Sequence, residues 1–161
     1  MVELSAQWVS FFPSERDAVE TLTLVLGSWL VAHLAANSDW RQKAADEVES
    51  LLPRYSRKEG SIRLSERLAD IPIEAWETET PVIDAIIREI TRIAQPYTAL
   101  RRNVGPDMHV DGIIIPSGAF VAYPFSDVHM NPDLYDDPWT FNPGRKESQA
   151  PLGYVGWGGG K

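Results

Sequence analysis

The chain has 161 residues, 43% of them hydrophobic and 24% charged, a composition that fits one globular domain and excludes a disordered tail. A formal net charge of -8 would be repelled by a phosphate backbone, so nucleic acid is not an expected partner. With no cysteine present, disulfides, zinc–thiolate sites, a Cys nucleophile and thiolate ligation of any metal by these residues are excluded.

Ser14 followed by Asp17 has the spacing of a capping box and predicts a helix running to about Ala36. Its apolar run, Leu22 to Ala36, is shorter than the roughly 20 residues that cross a bilayer. Glu15, Arg16, Asp17 and Glu20 precede it in place of the basic flank of a signal peptide, so a buried helix is expected. Ser38 is the expected cap of a second helix, Asp39 to about Leu52, with Trp40, Ala44, Val48 and Leu51 on one face. Pro53 to Gly60 reads as a polar, basic loop, and Leu64 to Ala69 as a short helix.

Thr80 followed by Pro81 is a strong start signal, a capping residue with proline at the first helical position. In the helix it opens, Val82, Ile83, Ile86, Ile87, Ile90, Ile93 and Ala94 fall on one side at about 100° per residue. Asp84, Arg88, Thr91 and Gln95 fall opposite. Glu89 and Arg92 belong to neither group and share one shoulder of the apolar stripe. Their i, i+3 spacing lets them pair. On an arbitrary helix such a pair is a solvated surface contact. On the shoulder it is half-buried and needs further hydrogen bonds, which a second arginine could supply.

After Pro96 the texture changes to short strands: Thr98 to Val104, Met108 to Val110, Ile113 to Ile115 and Ala119 to Tyr123. Asp111-Gly112 is a hairpin signal and Pro116-Ser117-Gly118 a turn. From Asn131 to Pro143 the richness in Pro and Asp predicts an irregular coil, and Gly153 to Lys161 is glycine-rich. The expected fold class is therefore mainly α with a small β meander, an α+β arrangement.

Three ordered motifs stand out. Glu89-x-x-Arg92 is followed by Phe141-x-Pro143-x-Arg145 in the coil and by Trp157-Gly158-x-Gly160 at the end. This set resembles the cytochrome P450 family, the haem-thiolate monooxygenases. Upstream, Trp29 to Leu34 with Asn37-Ser38-Asp39-Trp40 resembles the end of helix I and the start of helix J of that fold. The phrasing around Leu100-Arg101-Arg102-Asn103 and Ser126 to Pro132 resembles the fungal, sterol-demethylase-like branch.

The resemblance implies a structural network of Glu89, Arg92 and Arg145. It implies a cofactor-binding set of Arg101, placed for a haem propionate, with Trp157, Gly158 and Gly160 opening the haem loop. Tyr97, Thr98, Ala99 and Leu100 would line the substrate. Thr23 would match the helix I threonine used in proton delivery to bound oxygen, or be a helix residue bonding its own backbone. Where that motif has glycine this chain has Val19, and Gly144 and Lys146 depart from the commoner form of the coil motif. The cofactor implied is haem. The partners implied are an NADPH-dependent reductase and a small hydrophobic substrate, and fungal members are usually anchored to the endoplasmic reticulum.

The family's iron ligand would fall three residues past Lys161, and none of His33, His109 or His129 matches a ligand position. Residues 18–161 are thus expected to form a partial domain, truncated before the ligand and helix L, with 1–17 unassigned. Such a chain is expected to be inactive by itself. The alternatives are a non-catalytic remnant or interaction protein, and an unrelated α+β module in which Glu89, Arg92 and Arg145 lie far apart.

Overall fold

The computed structural model describes residues 15–57, 62–94, 98–146 and 148–156, with side chains from Thr23 onward. Three long helices come first in weight: α1 (Glu15–Ala36), α2 (Ser38–Tyr55) and α5 (Pro81–Ala94). Two short ones, α3 (Leu64–Leu68) and α4 (Ile73–Thr78), join α2 to α5. Strands β1 (Thr98–Arg102), β2 (Met108–Val110), β3 (Ile113–Ile115) and β4 (Phe120–Pro124) follow, then a single turn of helix, α6 (Ser126–His129). The remainder, to residue 156, is turns and coil. The fold is mainly α with small antiparallel sheets.

Helix α5 is the hub because its apolar stripe touches two partners. Ile86 and Ile90, one turn apart and each 1% exposed, pack against Leu26 of α1. Leu30, Leu34, Trp40, Ala44 and Phe141 surround them. Burying each such side chain contributes about 1.5–3 kcal/mol. The stripe is narrower than its periodicity suggests: Ile87 is 44% exposed, whereas Thr91, expected on the polar side, is 1% exposed. The Thr91 hydroxyl avoids being orphaned by donating to the carbonyl of Ile87.

A second core forms where α2 meets α3 and α4, from Leu51, Leu52, Ile71 and Ala75 with Tyr55, Leu68 and Trp76 packed around them. It explains why α2 passes through Pro53 and does not stop at Leu52. Beyond the proline, the Arg54 guanidinium and the Tyr55 hydroxyl both donate to the Glu79 carboxylate. The Ser56 amide donates to Leu52 O, and its hydroxyl to Asp70. These tertiary bonds hold a last turn that the proline alone would loosen. The Tyr55 hydrogen bond holds the Glu79 carboxyl below its ordinary range, and the same bond raises the Tyr55 phenol. Helix α4 was not expected at all; it begins after Pro72 with no side-chain cap to mark its start.

The expected helix caps differ from those formed. Asn37, not Ser38, occupies the N-cap of α2, and no side chain caps it. At α5 the Thr80 hydroxyl turns back to Trp76 O. The amides of Val82 and Ile83 donate instead to the two carboxylate oxygens of Glu47, at 2.9 Å each. A carboxylate from α2 thus satisfies the orphan donors and complements the positive end of α5. The Ser14–Asp17 capping box falls outside the residues whose side chains are described.

The strands do not pair in chain order. β1 pairs antiparallel with β4, Thr98 opposite Pro124 and Arg102 opposite Phe120, while β2 and β3 form a separate hairpin between them. Asp111 and Gly112, at φ 50° and 81°, make the tight hairpin turn. β1 ends at Arg102, two residues before the expected Val104. Asn103 leaves the ladder to join the two sheets, its amide donating to the carbonyls of Pro106, Ile115 and Pro116.

No helix among the described residues is long and apolar enough to cross a membrane.

Candidate functional site

The shoulder position of Glu89 and Arg92 turns them toward the coil that runs from α6 to residue 145. There the carboxylate is 5% exposed and the guanidinium 2%. They meet side-on: Arg92 Nε donates to Oε2 and Nη2 to Oε1, both at 2.9 Å. Two more donors converge on Oε1 from the coil, the Asn142 amide at 3.0 Å and Arg145 Nε at 3.3 Å. Arg92, three positions away, and Asn142 and Arg145, 53 and 56 positions away, therefore share one buried carboxylate.

Two cations and one anion in a dry site need further acceptors. Backbone carbonyls supply them. Arg92 Nη1 donates to His129 O at 2.7 Å. Arg145 Nη1 donates to Asp136 O, and its Nη2 to Asp137 O at 3.1 Å and Thr140 O at 2.9 Å. The Tyr135 ring lies 5.0 Å from the Arg92 guanidinium and 6.0 Å from that of Arg145, adding π-face attraction. The bonds from Asn142 and Arg145 to Glu89 tie α5 to the coil, and that from Arg92 to His129 O ties it to α6. Phe141, beside Asn142, sits on the Ile86–Ile90 core and stacks on His33 at 4.6 Å.

With both carboxylate oxygens already accepting hydrogen bonds from fixed donors, this cluster is a clamp and not an acid–base pair. Its chemistry is positional.

Behind the clamp lies a layer that motif reading did not single out. His129 is fully buried, its Nε2 accepting from the Val155 amide at 3.0 Å. Burial, with the Arg92 guanidinium nearby, holds this imidazole down to about 4. Tyr154 stacks on it at 5.4 Å, and the Tyr135 hydroxyl donates to Gly153 O at 2.6 Å. Burial raises both phenols. In the sequence, only the polar and aromatic residues crowded into 129–135 and 153–155 hint at this layer.

The other residues named from the resemblance are not drawn into the clamp. Arg101 is exposed on β1 opposite Val121, its Nη1 donating to Leu100 O at 2.8 Å. Thr98 is exposed, Ala99 half-buried and Leu100 43% exposed on the same strand. Thr23 is exposed on α1. Tyr97, Trp157, Gly158 and Gly160 lie outside the described residues.

Haem would require an iron ligand. None of the 161 residues is a cysteine. His33 is stacked on Phe141, His129 is sealed against Val155, and His109 is exposed on β2. Among the described residues, no three His, Asp or Glu side chains gather where a metal could sit. The donor set of these residues does not fit a thiolate-bound haem, so no reaction step is derived through one.

Residues 16–161 match the sequence profile of the family described as Cytochrome P450. Cytochrome P450 monooxygenase dmxR5 of Cryptosporiopsis sp. is 32% identical, over 88% of this chain and 28% of its own length. Cytochrome P450 monooxygenase AacuE of Aspergillus aculeatus is 30% identical, over 98% of this chain and 33% of its own length. Among solved structures, a cyanobacterial CYP120A1 with retinoic acid bound is similar with a TM-score of 0.59 at 25% identity, covering 84% of this chain and 29% of that one. A zebra fish cytochrome P450 shares the fold with a TM-score of 0.61 at 22% identity, covering 86% and 30%. The chain thus spans about a third or less of the length of these relatives. With its profile matched over nearly the whole length, and with a buried Glu89–Arg92–Arg145 cluster tying helix to coil, the chain belongs to the cytochrome P450 family of haem monooxygenases.

Proposed function

We propose that these residues are the clamp-bearing part of a monooxygenase that inserts one oxygen atom from O2 into a small hydrophobic substrate, of the kind made in fungal secondary metabolism. The observation that carries this reading is the buried carboxylate of Glu89 shared by Arg92, Arg145 and the Asn142 amide. Such a clamp fixes the coil against α5 and, with it, whatever packs on the coil. In this reading the partial domain occupies 18–161, Arg101 faces a haem propionate and Thr98 to Leu100 face the substrate, with Tyr97 beside them. Trp157, Gly158 and Gly160 open the haem loop, and Thr23 serves proton delivery. The haem would supply the oxygen chemistry, and electrons would come from an NADPH-dependent reductase at the endoplasmic reticulum.

The 161 residues by themselves neither hold haem as a thiolate complex nor oxidise a substrate, because with no cysteine among them none can provide the thiolate. The purified 161-residue chain, mixed with haem, reduced and exposed to carbon monoxide, is expected to show no thiolate-type Soret band. Appearance of that band would overturn the statement.

A second reading, a non-catalytic remnant or interaction protein, is favoured by the apolar surface. Leu24 and Val31 on α1 are 73% and 68% exposed, and Phe120 on β4 is 65% exposed. Apolar surface on this scale marks contact with other protein or self-association. The purified chain is expected to bind a hydrophobic dye and to sediment as a mixture of sizes. A dye-silent monomer with a sharp melt would count against this reading.

A further inference from the structure

Of the last four described residues, 153–156, three consecutive ones are held. Tyr135 donates its hydroxyl to Gly153 O, the Tyr154 ring stacks on the His129 imidazole, and the Val155 amide donates to His129 Nε2 at 3.0 Å. Two of these anchors, Tyr135 and His129, rest directly on Arg92. Its guanidinium lies 5.0 Å from the Tyr135 ring and donates to the His129 carbonyl at 2.7 Å. A chain of contacts therefore runs from Glu89 through Arg92 to His129 and on to Val155.

We infer that His129 is a positioning residue, whose neutral imidazole passes the placement of the Glu89–Arg92 pair to Val155 and so fixes the backbone at 155–156. The importance of that placement rests on the proposal that the residues following it open a haem loop. The positioning itself does not.

The geometry demands this side chain for specific reasons. Val155 is 7% exposed, so its amide must find an acceptor inside the protein. A phenyl ring of similar size would fill the space and keep the stacking with Tyr154, yet leave that donor orphaned. Accepting at Nε2 places the ring proton on Nδ1, the tautomer inferred from the bond. Nδ1 is buried with no hydrogen-bond partner.

Burial and the Arg92 guanidinium of α5 both disfavour a charge on the ring, and Tyr154 stacks on it from the segment itself. Protonation would turn Nε2 into a donor facing the Val155 N–H, beside a guanidinium. Gly156 completes the arrangement: at φ 51°, a Cβ there would come within 2.7 Å of the Tyr154 ring.

Amide hydrogen exchange on the full 161-residue chain tests the inference, with the protection factor of Val155 as the readout. His129→Phe keeps the ring volume and is expected to lower that factor roughly tenfold, the effect of losing one buried hydrogen bond. His129→Gln can offer an oxygen near the Nε2 position and is expected to restore most of it. In the unaltered chain, protection at Val155 should collapse in step with protonation of His129 near pH 4. A space-filling role predicts the opposite pattern: Phe as good as His, Gln worse than Phe, and no step with pH. That pattern, or an imidazole titrating in the ordinary histidine range, overturns the inference. Should the Phe variant not fold, the Gln variant and the pH profile decide by themselves. Because no haem is involved, failure here differs visibly from failure of the carbon monoxide test.

Discussion

Replacing Glu89 with glutamine removes one charge and turns one acceptor into a donor while leaving the shape of the side chain unchanged. The new amide oxygen can take over the Oε1 position, where Arg92 Nη2, Arg145 Nε and the Asn142 amide arrive. Its NH2 group then faces Arg92 Nε, which donated to Oε2 at 2.9 Å, so two donors point at each other. The greater loss is of charge. Arg92 at 2% and Arg145 at 11% side-chain exposure would be left without an anion among the groups that now bind them. Removing one partner of a buried pair costs about 3–5 kcal/mol, and the hydrogen bonds retained at Oε1 place this variant near the lower figure. With a urea m-value of about 2 kcal/mol/M, the unfolding midpoint should fall by about 1.5–2 M. The six tryptophans provide the fluorescence signal.

Arg145→Met gives the sharper control. In the unaltered chain it removes one donor from a carboxylate that keeps Arg92. In the Glu89→Gln background it removes an uncompensated cation, so its cost should shrink or change sign. Additive effects of the two substitutions, or a midpoint unmoved by Glu89→Gln, would refute the argument that a shared buried charge holds helix to coil.

Acid should destabilise the chain in a defined window. The His129 imidazole titrates at about 4 when folded against an ordinary 6.5, so below pH 6.5 the unfolded chain gains a proton that the folded chain refuses. Its contribution is complete above pH 6.5 and lost as pH falls toward 4, about 3 kcal/mol in all. Urea midpoints at pH 7, 5.5 and 4.5 check this, and His129→Gln should flatten that part of the curve. The depressed Glu79 carboxyl acts in the same direction, its share being lost as pH falls through its own folded value. Glu47→Ala strips the acceptors from the Val82 and Ile83 amides and should cost about 1–2 kcal/mol, as losing a helix cap does. If Glu47→Ala melts with the unaltered chain, those two bonds contribute nothing.

The long elements were legible because each carries a repeated signal. The i, i+3, i+4 recurrence from Val82 to Ala94 marked α5, and β2, β3 and their turn followed from Asp111-Gly112 between short apolar runs. Short helices were legible only in part: α3 was expected over Leu64 to Ala69, but α4 and α6, of six and four residues, were not. Pro53 looked like a stop until the bonds of Arg54 and Tyr55 to Glu79 carried α2 past it. Thr91 and Ile87 exchanged their expected environments, Thr91 being 1% exposed and hydrogen-bonded to Tyr154 while Ile87 is 44% exposed. Pairing order was equally hidden: nothing local to β1 says that its partner is β4 and not β2.

By itself the sequence determined which groups were available: a Glu and an Arg at i, i+3 on a helix shoulder, a second Arg in a coil 56 residues from the Glu, and no thiolate. Family membership followed from their order along the chain. Only the tertiary structure decided that Glu89 lies buried between two guanidiniums, that Glu47 caps α5 from a neighbouring helix, and that His129 answers the amide of Val155. Apart from the Glu89–Arg92 pair, those contacts join residues 26 to 56 positions apart, and each exists only because a buried polar group must find a partner wherever the packed chain happens to place one.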